Sequence, residues 1–121
     1  MARFLTILTL AAVVGLFSVS MAKADPVGGT INQYEVAKPR SIDTFHVRLY
    51  GGETTRIRVN GDGDTELNLY VYDGNGNLVK CDLSGSGDDR EVLVTPRWTG
   101  LFTIKIVNRG YSSNCYRLLI D

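Results

Sequence analysis

The sequence predicts an all-β domain of about eight short antiparallel strands, arranged as a sandwich or a barrel. Three observations carry this. Gly61 to Val79 (GDGDTELNLYVYDGNGNLV) sets Leu67, Leu69 and Val71 on alternate residues between glycine-rich acidic turns. That pattern is a half-buried strand, with Glu66, Asn68, Tyr70 and Tyr72 on its other face. The same theme recurs along the chain, an apolar alternation followed by glycine, asparagine or aspartate, and no segment beyond the N-terminal stretch has helical period.

Met1 to Ala24 stands apart from that theme. It has an early Arg3, an apolar run from Phe4 to Val19 and the small-residue sequence Ala22-Lys23-Ala24. These are the parts of a secretory signal peptide cut before Asp25, so residues 25–121 are expected to form one exported domain with no membrane insertion after cleavage.

Each predicted strand follows from its own alternation. Thr30 to Val36 opens the domain and stops before Lys38-Pro39, since proline has no amide proton to give a ladder. Asp43 to Tyr50 places Phe45, Val47 and Leu49 inward, and Gly51-Gly52 turns the chain. Thr54 to Asn60 turns Ile57 and Val59 inward and Arg56 and Arg58 outward. After the central strand, Asp73-Gly74-Asn75-Gly76-Asn77 supplies residues that tolerate positive φ and closes a hairpin onto Leu78 to Asp82. Ser84 to Asp89 is polar and glycine-rich, a loop. Arg90 to Thr95 is stopped by Pro96. Leu101 to Asn108 puts Phe102, Ile104 and Ile106 on one face, and Asn114 to Ile120 ends the domain with Tyr116, Leu118 and Ile120 inward.

The whole chain balances 13 Lys+Arg against 13 Asp+Glu, and removing Arg3 and Lys23 with the leader leaves the remainder slightly acidic. No polybasic stripe is present to follow a phosphate backbone, which argues against nucleic acid as a partner. Cys81 and Cys115 are the chain's 2 cysteines. In an oxidising compartment the default expectation is that they pair. Such a bridge would stabilise a small domain by about 4 kcal/mol in the chain-entropy model.

The ordered pieces Thr44-Phe45-His46-Val47-Arg48-Leu49 with Gly51-Gly52, Gly61-Asp62-Gly63-Asp64, Leu67 to Asp73, Pro96 with Thr99-Gly100, and Tyr116-Arg117-Leu118 resemble the bacterial pre-peptidase C-terminal domain. The resemblance covers nearly all of residues 25–121. It implies a jelly-roll-like β-sandwich of the kind usually appended to secreted peptidases, similar also to the collagen-binding modules of bacterial collagenases. The sequence departs from the family in three ways. The module is read as standing without a peptidase before it. Glu66 and Asn68 occupy positions where the family often has aspartates, and the two cysteines are not a family hallmark.

Calcium is the one cofactor the residues suggest. Asp62, Asp64, Glu66 and Asn68 offer oxygen ligands on alternate residues, and the turn at Asp73 adds more, while hard cations take several such oxygens. The alternative, that these are turn residues chosen for backbone conformation, stays open. The D-x-N-x-N opening at Asp73 fails as an EF-hand, because Leu78 stands where the loop needs glycine and Ser84 where it needs glutamate.

Catalysis has little support in the sequence. The single histidine, His46, lies on an outward strand row beside no nucleophile motif. Binding is the better expectation, with Tyr70 and Tyr72 sharing one face and Arg56, Arg58, Arg48 and His46 framing them. Trp98 is expected to close one end of the core. The sequence therefore predicts an exported, periplasmic or secreted, noncatalytic module. Its expected partner is a protein or a polysaccharide; the alternative is an accessory domain that assists an exported peptidase or another secreted protein.

Overall fold

Each predicted alternation forms a strand in the computed structural model, which describes residues 17–19, 30–83 and 87–121. In chain order the strands are β1 Phe17–Val19, β2 Ile31–Ala37, β3 Ile42–Leu49, β4 Thr55–Asn60, β5 Leu67–Tyr72, β6 Leu78–Asp82, β7 Asp89–Val94, β8 Gly100–Asn108 and β9 Asn114–Ile120. The rest of the expected leader lies outside the described residues, as does 84–86 of the expected loop. Inside the stretch expected to be a leader, β1 runs parallel to β3, pairing Phe17 with Ile42.

Two sheets form, ordered β1-β3-β8-β5-β6 and β2-β9-β4-β7. From β2 to β9 every pairing is antiparallel. The sandwich, not the barrel, is therefore the architecture. Period-2 alternation explains the choice of faces, since Phe45, Ile57, Val59, Leu67, Leu69, Val71, Ile104, Ile106 and Leu118 are all fully buried in one cluster between the layers. Each such side chain contributes roughly 1.5–3 kcal/mol on leaving water.

Buried polar contacts also join the two layers, among them Asn108 Nδ2 on β8, which donates to the Ala37 carbonyl on β2 at 3.1 Å. The Tyr116 hydroxyl on β9 donates to the Asp43 carboxylate on β3 at 2.6 Å, tying the two sheets together. Burial holds the Tyr116 hydroxyl well above the usual phenol range, helped by the Asp43 hydrogen bond and the nearby charges of Asp43 and Glu35.

Because each strand from β2 onward reverses the last, the connecting loops sort into two ends. Residues 38–41, 61–66, 87–88 and 109–113 meet at one end, joined by backbone bonds such as Arg40 N to Gly110 O and Gly61 N to Asp88 O. Residues 50–54, 73–77 and 95–99 belong to the other, where Gly52 N donates to Pro96 O.

Candidate functional site

At the first end, carboxylates and amides close the loops on one another. Asp62 accepts from the backbone N–H of Asp64 at 3.0 Å with one oxygen and from that of Cys115 at 2.8 Å with the other. These amides, that of Cys115 foremost, hold the Asp62 carboxyl below the usual carboxylate range. Asp88 accepts from the Gly63 N–H at 2.6 Å and from Asn114 Nδ2 at 2.9 Å. Asn114, with no exposed surface, also donates to Thr65 and accepts from the Asp62 N–H. Gly61 is required here, because an added Cβ would lie 2.2 Å from Asp88 Oδ2.

The five residues expected to hold calcium are not brought together. Asp62, Asp64 and Glu66 lie at this end. Asn68 is buried on the outer face of β5, and its carbonyl oxygen has no hydrogen-bond partner among the described residues. Asp73 sits at the far end of β5, about 20 Å away for a six-residue strand. Its carboxylate accepts from the N–H of Asn75 and of Asn77 and from Asn77 Nδ2. Those bonds lower its pKa, the Asn77 amide most. Among the described residues no three His, Cys, Asp or Glu side chains are grouped to hold a metal ion.

The tyrosine face is only partly as expected. Tyr70 and Tyr72 stack at 6.4 Å between ring centroids, half-buried on the outer face of β5, with Lys105 Nζ 5.3 Å from the Tyr72 ring centroid. His46 shares this face through the β3–β8 register and lies 3.2 Å from Thr103 Oγ1. Arg56 and Arg58 do not frame the tyrosines. They stand on β4 in the other sheet, on the opposite outer surface, where both reach Asp121 at 3.5 and 3.7 Å.

The expected disulfide is also absent. Cys81 and Cys115 are both free and exposed. Cys81 pairs with Tyr70 and so faces outward from one sheet, whereas Cys115 pairs with the exposed Val36 on the outside of the other. Both layers, packed about 10 Å apart, stand between the thiols.

The second end carries a groove of about 440 Å³. One wall is the β5–β6 turn with Val79 and Lys80; the other is the end of β7 with Pro96, Arg97 and Trp98. A register shift at Val71/Tyr72 bulges β6 at Val79. Pro96 cannot extend β7, and the loop after it is pinned by Gly51, whose N–H donates to Thr99 Oγ1 at 2.9 Å. A Cβ on Gly51 would lie 3.0 Å from the Arg97 carbonyl oxygen and from the Thr99 nitrogen, so a larger residue would have to push this loop back. Trp98 does not close the core. It is 76% exposed, with Leu101 at 48% and Val79 at 39% beside the same groove.

Sequence reasoning missed this groove. The available signal was Leu101, which falls on the outward phase of β8 while Phe102, Ile104 and Ile106 face inward, next to a tryptophan that no alternating run holds.

No protein-family model matches the chain, and no curated protein matches it. Among solved structures the chain is similar to the pre-peptidase C-terminal domain of a collagenase from Bacillus anthracis. That match has TM-score 0.60 and 10% identity, covering 86% of this chain and 95% of that one. It is similar also to Aeromonas hydrophila PliG, a periplasmic lysozyme inhibitor of g-type lysozyme. There the TM-score is 0.56 and the identity 13%, over 87% of this chain and 96% of that one. The fold is thus that of the pre-peptidase C-terminal domain, as the sequence resemblance implied.

Proposed function

We propose that this chain is an exported, noncatalytic β-sandwich module that binds an extracellular or periplasmic protein or polymer through the groove at the Trp98 end. The observation that carries the reading is the 76% exposure of Trp98 beside a cavity large enough for a side chain or a short segment. A soluble domain gains nothing in folding from displaying its one tryptophan, whereas interface hot spots are enriched in this residue. The two solved neighbours, a domain of a collagenase and an inhibitor of a lysozyme, support a protein partner.

The test is affinity measurement against g-type lysozyme, collagen and an insoluble polysaccharide, with wild type, Trp98→Ala and Tyr70→Ser/Tyr72→Ser. Trp98→Ala is expected to weaken binding on the order of thirtyfold, the loss of a hot-spot side chain. Retained binding in Trp98→Ala together with loss in the tyrosine variant would move the site to the outer face of β5. The likeness to a collagenase domain favours one further reading, an accessory role beside an exported peptidase. Stoichiometric co-purification with one protein would mark that role.

A further inference from the structure

We infer that the groove receives an extended acidic segment of a partner polypeptide, which adds as a strand along the free edge of β7; this rests on the binding reading above. β6 and β7 are the last strands of their respective sheets, so each has one edge that pairs with no strand among the described residues. At the first end these edges are closed against each other, where the Asp82 carboxylate accepts from the Glu91 N–H at 2.9 Å. Toward the Trp98 end they part, and the groove opens between Val79 and Lys80 on one side and Val94 and Thr95 on the other.

The Glu91 bond also fixes which way β7 presents its backbone. Glu91 turns its N–H away from β4 and toward Asp82, and strand geometry repeats every second residue. Leu93 therefore turns its own N–H and C=O to the same open edge, one residue before Val94 and Thr95 of the groove lining. The edge of β6 is less suited to pairing, because it is bulged at Val79 and carries a central lysine, two devices that blunt an edge. β6 thus serves as a wall, and β7 offers the backbone.

Charge selects the occupant. Lys80 and Arg97 line the groove, and neither forms an ion pair among the described residues. The carboxylate in the lining, Asp73, is occupied by three donors of its own turn. A segment alternating acidic and apolar residues would place its carboxylates near these cations and its apolar side chains against Trp98 and Leu101. A polysaccharide could stack on Trp98 but has no peptide row to match the Leu93 edge.

The experiment is selection of displayed random linear peptides on the folded protein, with counter-selection on Trp98→Ala. Enriched peptides are expected to alternate Asp or Glu with apolar residues. Such a peptide, once synthesised, should blue-shift the emission of Trp98, the chain's 1 tryptophan, and slow amide exchange at Leu93. Lys80→Glu/Arg97→Glu should weaken it about tenfold or more, and N-methylation of alternate peptide amides should weaken it similarly.

Enrichment without acidic residues, a Trp98 shift with unchanged Leu93 exchange, or a selection yielding no Trp98-dependent peptide would each overturn strand addition. If a polysaccharide shifts Trp98 emission where peptides do not, strand addition falls and the groove reading survives. If Trp98→Ala keeps full affinity for a partner that wild type binds, the groove reading itself fails.

Discussion

The two ends of the sandwich are made from similar turn residues and put them to opposite use. At the Asp62 end, Asp62, Asp88 and Asn114 direct their hydrogen bonds to one another and to the loop backbone. At the Trp98 end the polar groups hold the loops from behind, and the groups that face outward are a tryptophan, a leucine and two cations. A row of acidic residues in a sequence is thus compatible with pure loop closure, and the exposed apolar residue is the more telling sign of a binding surface.

The largest effect expected from this contrast is at Asn114. Asn114→Ala removes the donors to Thr65 and Asp88 and the acceptor for the Asp62 N–H, all at a fully buried position. Leaving such groups unsatisfied costs about 3 kcal/mol or more. Urea denaturation should show that loss, while partner binding at the groove survives in the folded fraction. A loss under 1 kcal/mol, on the order of one ordinary hydrogen bond, would break the claim that this end is a closed polar knot.

Between the ends, Tyr116→Phe should cost about 1–2 kcal/mol at neutral pH by removing the cross-core hydrogen bond to Asp43. The sign with pH follows from the raised folded value. The hydroxyl's stabilisation is fully present below the ordinary tyrosine value of 10.0 and declines as pH rises above it, because the unfolded chain ionises first. The gap between wild type and Tyr116→Phe should therefore narrow above pH 10, as followed by chemical denaturation; a constant gap would contradict the buried, neutral phenol.

The contrast also shows what could be read from residues alone. Alternation made the strands and the inward rows of β3, β5 and β8 legible, because period 2 is a local property of the chain. Even the separation of Asp62 from Asp73 was implicit, since the two flank a single strand and must leave by opposite ends. Sheet membership was not legible. Nothing local says that β4 joins the sheet away from β5, and that one pairing choice parts Arg56 and Arg58 from Tyr70 and Tyr72. The cysteines fail for the same reason, each lying on the correct outward phase of a strand whose sheet only tertiary pairing decides. Trp98 was misread because hydrophobicity predicts burial only where a periodic run holds the residue, and a loop has none.

A smaller effect is expected at Asp62. Its folded carboxyl titrates below the ordinary 3.8, so its contribution is present above that value and is lost as pH falls through the folded value. Asp62→Asn leaves one acceptor oxygen for two amide donors and turns an NH2 toward the other, so its melting temperature should fall slightly at neutral pH and converge with wild type below pH 3.8. Calcium sharpens the same comparison, since a calcium-dependent rise in melting temperature that disappears in Asp62→Asn would give this end a metal-binding role beside its structural one.

The smallest change in stability is expected where the change in binding is greatest. Trp98 is 76% exposed and lies at the groove mouth, so Trp98→Ala removes little buried surface and leaves no polar group unpaired. Its unfolding free energy should stay within about 0.5 kcal/mol of wild type. A larger loss would mean that the ring supports the 95–99 loop, and the reason for separating a binding end from a structural end would go with it. If stability is unmoved while affinity collapses, the ring is held in water by the Gly51–Thr99 contact behind it, and its cost in solvent exposure is offset only when a partner covers it.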